Sequence, residues 1–232
     1  MADDTTTWGR LQFSDGTAYA LTAEDMLWTA RAAVYEGGDP ALTLWTLAQR
    51  FSQLRNSFPT FTEFVRGFSQ PVNPRWLRDG LFCKPRGHYV NTEYCSEARL
   101  ARRDRAVASD WYDLNAAEPN VTATVIAWGQ GLVGNPLPRS TNFADPHVAA
   151  AYVAEHPGTK VLRVDGNWYL QDAWAATWSK NRVRIIGADG AIASADGVQR
   201  GTGAPAPQRG PIVAALDLVF RTAMRPTAAW RL

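Results

Sequence analysis

The sequence predicts an α+β fold, mostly helical, with a small β-hairpin region. Between Thr22 and Trp128, apolar residues recur three and four positions apart, in runs bounded by capping residues, glycine or proline. That spacing places them on one face of a helix. From Gly129 onward the chain is interrupted by Gly129, Gly131, Gly134, Pro136 and Pro138, and then shows short β-type runs around an Asp-Gly turn signal. With 232 residues, 46% of them hydrophobic, the chain can bury a good-sized core.

Residues 1–20 read as an irregular N-terminal arm or short hairpin, with Asp15-Gly16 as its turn. A first helix is expected from residue 22 to about 35, with Met26, Ala30, Ala33 and Val34 facing inward. Thr22 and Asp25 have capping-box spacing, and Gly37-Gly38 stops the helix. Asp39 then caps a second helix opened by Pro40, whose buried stripe is Leu44, Leu47, Ala48, Phe51 and Leu54. Thr60 and Glu63 form a capping box for a third short helix ending before Pro71. Residues 72–91, rich in Pro, Gly and Arg, read as a long loop. Residues 93 to about 114 read as one charged helix with Leu100, Val107 and Trp111 inward, and 122–128 as another.

After the break, residues 149–155 suggest a helical turn, and 160–164 with 168–170 a hairpin across Asp165-Gly166-Asn167. A further strand is expected at 182–186. Residues 196–211 have the composition of a Gly/Pro/Ala linker, and 211–223 read as an apolar terminal helix. The expected organisation is an arm at 1–20, a principal domain at 21–180, and a linker with an attachment helix at 181–232.

Charge is nearly balanced, at +2, but uneven. Residues 1–40 hold two bases against seven acids, whereas residues 75–105 hold eight bases against four acids. A basic stretch of this kind either docks an anionic polymer or is a solvated helix face. A nucleic-acid-binding module would use it with strong salt dependence, and is the least favoured class. The segment MADDTTTW has no basic n-region and no apolar h-region, so no secretory signal is expected in it, and no run approaches a membrane span. Cys83 and Cys95 could form one disulfide or none. They flank His88 without zinc-type pairing, so neither a metal site nor a cofactor is expected. No P-loop, dinucleotide fingerprint or Gly-x-Ser-x-Gly elbow occurs. The ten Trp residues suit either core filling or stacking on flat ligands such as sugars.

Glu36 is the most suggestive single residue. It closes the first helix and precedes two glycines. The carbonyls at a helix C-terminus disfavour a negative charge, and Trp28 and Trp45 lie near enough in sequence to desolvate it. Both effects favour the protonated carboxyl that a glycosidase uses as general acid. The alternative is a solvated helix end.

Four segments, AAVYEGG, LAQRFSQ, SFPTFTEFV and GFSQP, fall in order across residues 26–70, and GNPLPRSTNFA and NWYL follow further on. In these the chain resembles the SleB/CwlJ family of cell-wall hydrolases, with an Ala-rich helix reaching a Glu, an "xxNR"-like segment, a Phe-Pro-x-(Thr/Ser) stretch and a Phe-Ser motif. It departs from the family at Tyr-Glu-Gly-Gly-Asp, where Gly-Glu-Ala-Arg-Gly-Glu is usual, and in a long basic insertion at about 72–118. It is closer to divergent phage or injection-particle forms.

The resemblance implies a lysozyme-like domain that cuts the glycan strand of peptidoglycan between N-acetylmuramic acid and N-acetylglucosamine. Glu36 falls on the family's catalytic acid. Ser69, Gln70, Thr141 and Asn142 would then bind N-acetyl or hydroxyl groups, with turn or cap roles as their alternatives. Tyr35 and Trp76 would flank the sugar, with core packing as theirs. Asp39 is a helix cap first and a catalytic partner second. Delivery by a virion, an injection particle or release on lysis follows, with the C-terminal helix docking on other particle proteins or on a second copy. A non-catalytic structural or wall-binding component of such a particle is the alternative.

Overall fold

The computed structural model of the chain describes residues 8–73, 97–137, 140, 142–144, 146–164, 167–171, 183–194 and 197–199. Among them are seven α-helices and two small antiparallel sheets, a mostly helical α+β arrangement. The predicted loop from residue 74 onward, both cysteines, His88 and the predicted helix at 211–223 lie outside the described residues.

The helices begin where the caps dictate. Helix α1 (Ala23–Glu36) starts on a full capping box: Thr22 Oγ1 accepts the Asp25 N–H at 3.1 Å, and the Asp25 carboxylate accepts the Thr22 N–H at 2.9 Å. It ends at Gly37 and Gly38, whose φ values of 75° and 71° lie in the left-handed region that glycine tolerates best. Helix α2 (Pro40–Leu54) has Pro40 in its first turn and Asp39 as cap, accepting the Leu42 N–H at 2.8 Å. Helix α3 (Phe61–Phe68) is capped by Thr60, and a single 3-10 turn (Gln70–Val72) follows.

The charged helix predicted at 93–114 is two helices, α4 (Glu97–Ala108) and α5 (Trp111–Ala117). The apolar pattern runs on through the break, but Asp110 stops it. Its carboxylate accepts the N–H groups of Tyr112 and Asp113, and Asp113 returns a bond to the Asp110 N–H. A capping box in mid-pattern ends one helix and starts the next. Helix α6 (Pro119–Gly129) opens three residues earlier than predicted, at a proline, and α7 (Pro146–Glu155) is longer than the predicted turn.

Strands β1 (Gly9–Gln12) and β2 (Ala18–Leu21) form the hairpin at Asp15-Gly16. Asp15 accepts from the Thr17 N–H and hydroxyl and from Arg55, the residue that follows α2. These bonds, Thr17 first, hold its carboxyl down at about 2. Strands β3 (Asn142–Ala144), β4 (Lys160–Val164) and β5 (Asn167–Gln171) form one sheet in the order β3-β5-β4. The β4–β5 hairpin is the predicted one, while β3 was not foreseen: three half-buried residues show no alternation.

The other sheet, in the order β2-β1-β6-β7-β8, adds β6 (Arg184–Gly187), β7 (Ile192–Ser194) and β8 (Gly197–Gln199). It therefore joins the predicted arm to the start of the predicted tail. Leu11, Leu21, Ile185 and Ala193 from this sheet lie in one core cluster with Trp45, Phe51, Phe61, Phe64 and Trp128. Residues 197–199, read as linker from composition, are a strand. Gly9 and Gly187 pair across β1–β6. A Cβ would come within 2.2 Å of the Gly129 carbonyl oxygen at Gly9, and within 2.0 Å of the Gln130 oxygen at Gly187. The sheet can cross the end of α6 this closely only with glycine there.

Asp25 ties three elements together. Fully buried, it accepts from the Tyr19 hydroxyl (3.0 and 3.2 Å), from the Thr22 N–H and hydroxyl (both 2.9 Å), and from the Thr62 N–H and hydroxyl (both 2.8 Å). Asp25→Ala leaves these donors buried without an acceptor. The expected loss is about 3 kcal/mol or more, read as a lowered midpoint of urea unfolding. A variant as stable as the parent would show the network to be dispensable.

Candidate functional site

Two helix ends meet at Glu36. It closes α1, and Ser69, the fully buried residue that ends α3, donates its hydroxyl proton to Glu36 Oε1 at 2.7 Å. The next main-chain N–H, of Gln70, donates to the same carboxyl. Gln70 opens the 3-10 turn, and the first N–H groups of a helical turn have no partner within it. Burial dominates the electrostatics and pushes the Glu36 carboxyl up from its ordinary value to about 7, against the opposing pull of Ser69, Gln70 and then Arg102. The residue as a whole is only partly buried, so an edge of it reaches the surface.

Tyr35 is held on two sides. Its hydroxyl lies 3.3 Å from Ser109 Oγ, and its main-chain oxygen accepts from Arg102 Nη2 at 2.7 Å. The Asp39 carboxylate serves as the cap of α2, the first of the two roles predicted for it. The Asp39 carbonyl accepts from the hydroxyl of Tyr169 at 3.2 Å, and Thr43 Oγ1 lies 3.3 Å from the same hydroxyl. Tyr169 is fully buried in β5, the middle strand of its sheet. Burial first, with Asp39 and Glu36 adding to it, raises its phenol pKa.

Asn142 opens β3 opposite Leu170 and is half-buried. Its side-chain Oδ1 accepts the Phe143 N–H at 3.0 Å, so part of its amide has a local structural role. The preceding loop is pinned to α2, where Thr46 donates to the buried Ser140 hydroxyl (2.9 Å) and Gln49 donates to its carbonyl (2.9 Å). A row of rings connects the two sides: Phe68 packs edge-on to Phe143 (6.4 Å), and Phe143 tilts against Tyr169 (6.0 Å). Phe68 is the neighbour of Ser69.

The structure thus brings Glu36, Tyr35, Ser69 and Gln70 together, and connects Asn142 to them through Phe68, Phe143 and Tyr169. Trp76 and Thr141 lie outside the described residues. Tyr169, Ser109 and Arg102 also belong to the site, and sequence reading missed them. Arg102 sits in the basic stretch at 75–105, where nothing local distinguishes it from Arg99, Arg103 or Arg105. Among the described residues no three His, Cys, Asp or Glu side chains are placed to hold a metal ion. No family model, curated protein or solved structure matches the chain.

The Glu36 carboxyl has a direct consequence for stability. Its folded pKa, about 7, lies above the ordinary 4.5, so between these values the folded protein holds a proton that the unfolded chain releases. The stability it contributes is full below the lower value and is lost as pH rises through the upper one. Glu36→Gln removes that loss. Relative to wild type, the melting temperature of the variant should rise by a few degrees between about pH 5 and about pH 8. Melting curves that keep a constant separation across that range would contradict the raised acid.

Proposed function

We propose that this protein is a peptidoglycan-cleaving enzyme of the SleB/CwlJ kind, with a lysozyme-like catalytic domain and Glu36 as its general acid. The observation that carries the reading is a buried carboxyl at a helix end, on a residue with an edge at the surface, holding its proton up to about pH 7, with Ser69 of the Phe-Ser motif bonded to it. The proton held by the Glu36 carboxyl passes to the glycosidic oxygen between N-acetylmuramic acid and N-acetylglucosamine. The bond to the anomeric carbon breaks, the leaving sugar departs as an alcohol, and the oxocarbenium-like centre is captured.

Capture by the sugar's own 6-hydroxyl gives an anhydro end, whereas capture by water gives a reducing end. The first route needs no second carboxylate, unlike the usual two-carboxylate arrangement. The role of Asp39 as a helix cap supports the single-acid route. Asn142 and the partly buried rings of Phe68 and Phe143 suit a sugar ring and its N-acetyl group. Delivery to the wall by a virion or injection particle belongs to the same proposal. No helix among the described residues is long and apolar enough to cross a membrane.

Purified peptidoglycan incubated with the protein should yield disaccharide-peptide fragments by mass spectrometry. Glu36→Gln should lower the rate by roughly a hundredfold or more while folding normally. Activity should also decline as pH rises through about 7, because the acid must enter the cycle protonated. A Glu36→Gln variant that digests walls as fast as wild type would end this reading.

A further inference from the structure

Helix α1 has no basic residue in its last turn. Its terminal carbonyls, which gather partial negative charge, therefore have no cation of their own. Arg102 supplies one from α4. Its Nη2 donates to the Tyr35 carbonyl oxygen at 2.7 Å, and its guanidinium lies 6.0 Å from the centre of the Tyr35 ring. Tyr35 is the residue immediately before Glu36. We propose that Arg102 is a positioning residue for Glu36: it fixes the last turn of α1 through the Tyr35 carbonyl, and its positive charge favours the carboxylate that forms when the proton leaves. The catalytic part of this inference rests on the reading of Glu36 as the acid.

The groups that bear on Glu36 come from four elements. Ser69 and Gln70 donate to it from the end of α3 and the 3-10 turn, Arg102 acts from α4, and Tyr169 of β5, whose hydroxyl is bonded to the Asp39 carbonyl, feels the Glu36 charge in turn. Asp39, next along the chain, has its carboxylate on the Leu42 N–H. Among the described residues, Arg102 is the one cation that acts on the Glu36 carboxyl. Burial wins the contest, which is why the acid stays protonated near neutrality. A buried acid with nothing opposing burial would be slow to part with its proton, since a desolvated carboxylate is costly. The guanidinium lowers that cost in the state where the charge develops. Because Arg102 is itself exposed, solvent and salt weaken its effect without abolishing it.

The test compares Arg102→Met, which keeps an apolar stem and removes the charge, with Arg102→Lys, which keeps the charge and loses the fork. Two readouts are taken on the full chain: the carboxyl carbon of Glu36 titrated by NMR, and kcat/KM for peptidoglycan against pH. In Arg102→Met both the carboxyl titration and the alkaline limb should move up by roughly half a pH unit, with kcat down roughly tenfold and KM nearly unchanged. In Arg102→Lys the titration should stay close to wild type. In wild type, added salt should move the titration in the same direction as Arg102→Met, a measurement that survives if the variant folds poorly. A Glu36 titration that ignores both the charge removal and the salt overturns the proposal, even if Glu36→Gln shows the enzyme reading to be right. Conversely, a titration that follows Arg102 in a protein that cuts no glycan upholds the electrostatic placement and removes the catalytic reading.

Discussion

The Asp25 carboxylate is the contact from which the geometry of the rest follows. It accepts from Thr22 at the start of α1, from Thr62 at the start of α3 and from Tyr19 of the hairpin before α1. The Tyr19 hydroxyl also accepts the Phe61 N–H at 3.0 Å, closing the ring of bonds. Both helices thus leave from one buried acceptor. From Asp25 to Glu36 is eleven residues, about 16 Å along a helix, and from Thr62 to Ser69 seven residues, about 10 Å. Two rigid rods fixed together at their beginnings deliver Glu36 and Ser69 to hydrogen-bond distance at their ends. A change in the Asp25 network would therefore be felt at Glu36 although no atom of the two residues touches.

Asp25 and Glu36, near opposite ends of α1, meet different hydrogen-bonding surroundings. Asp25 is wholly buried but surrounded by donors, so its desolvation is repaid by hydrogen bonds. Glu36 has fewer donors for its burial and responds by holding its proton. The difference lies in where the helix places them. A residue at a helix N-terminus meets unpaired N–H groups, and one at the C-terminus meets unpaired carbonyls. Glu36 obtains its two donors only because another helix breaks beside it: Ser69 ends α3, and Gln70 starts a new turn with its N–H unclaimed. The Gly37-Gly38 pair lets the chain leave α1 at once, through two positive-φ residues, before an ordinary helix continuation could cover the carboxyl.

Much of this was legible in the sequence because it is local. Thr22 with Asp25, Asp39 with Pro40, Thr60 before α3, and Gly37-Gly38 each announce a boundary through chemistry within a few residues, and the structure puts α1, α2 and α3 where those signals place them. Glu36 was visible for the same reason, as a carboxyl at a helix end followed by glycine, and the Phe-Ser segment pointed to Ser69. What escaped depends on contacts distant in sequence. Ser109-Asp110 splits a continuous apolar pattern, and only the reciprocal bonds between Asp110 and Asp113 reveal the restart. Strands β3, β7 and β8 are three residues each, too short for alternation to show. The pairing of β1 with β6 joins residue 9 to residue 187, a partnership that composition reads instead as an arm and a tail. Arg102 was hidden among its neighbours because its role is set by the end of α1, 67 residues away.

The site is built from the backbone groups that helices leave unsatisfied, and this explains its dependence on side chains remote in sequence. The last carbonyls of α1 need a donor and receive Arg102. The first N–H of the 3-10 turn needs an acceptor and receives Glu36. The first N–H groups of α2 need an acceptor too, and that of Leu42 receives the Asp39 carboxylate. Each junction serves structure, since an orphan group in a partly buried place is costly. Each also sets the electrostatic surroundings of one carboxyl. A protein that holds an acid protonated near neutral pH gives up stability there as pH rises, and must recover it elsewhere. The fold is held elsewhere by the donors around Asp25 and by the aromatic core of Phe51, Phe61 and Phe64, whose rings meet at 5.1 to 5.9 Å. Those rings continue through Phe68 to Phe143 and Tyr169, at the wall of the site. One continuous packing column thus stabilises the fold at one end and shapes the surroundings of Glu36 at the other. Substitutions along it, even far from Glu36, should therefore act on the acid through burial rather than through charge.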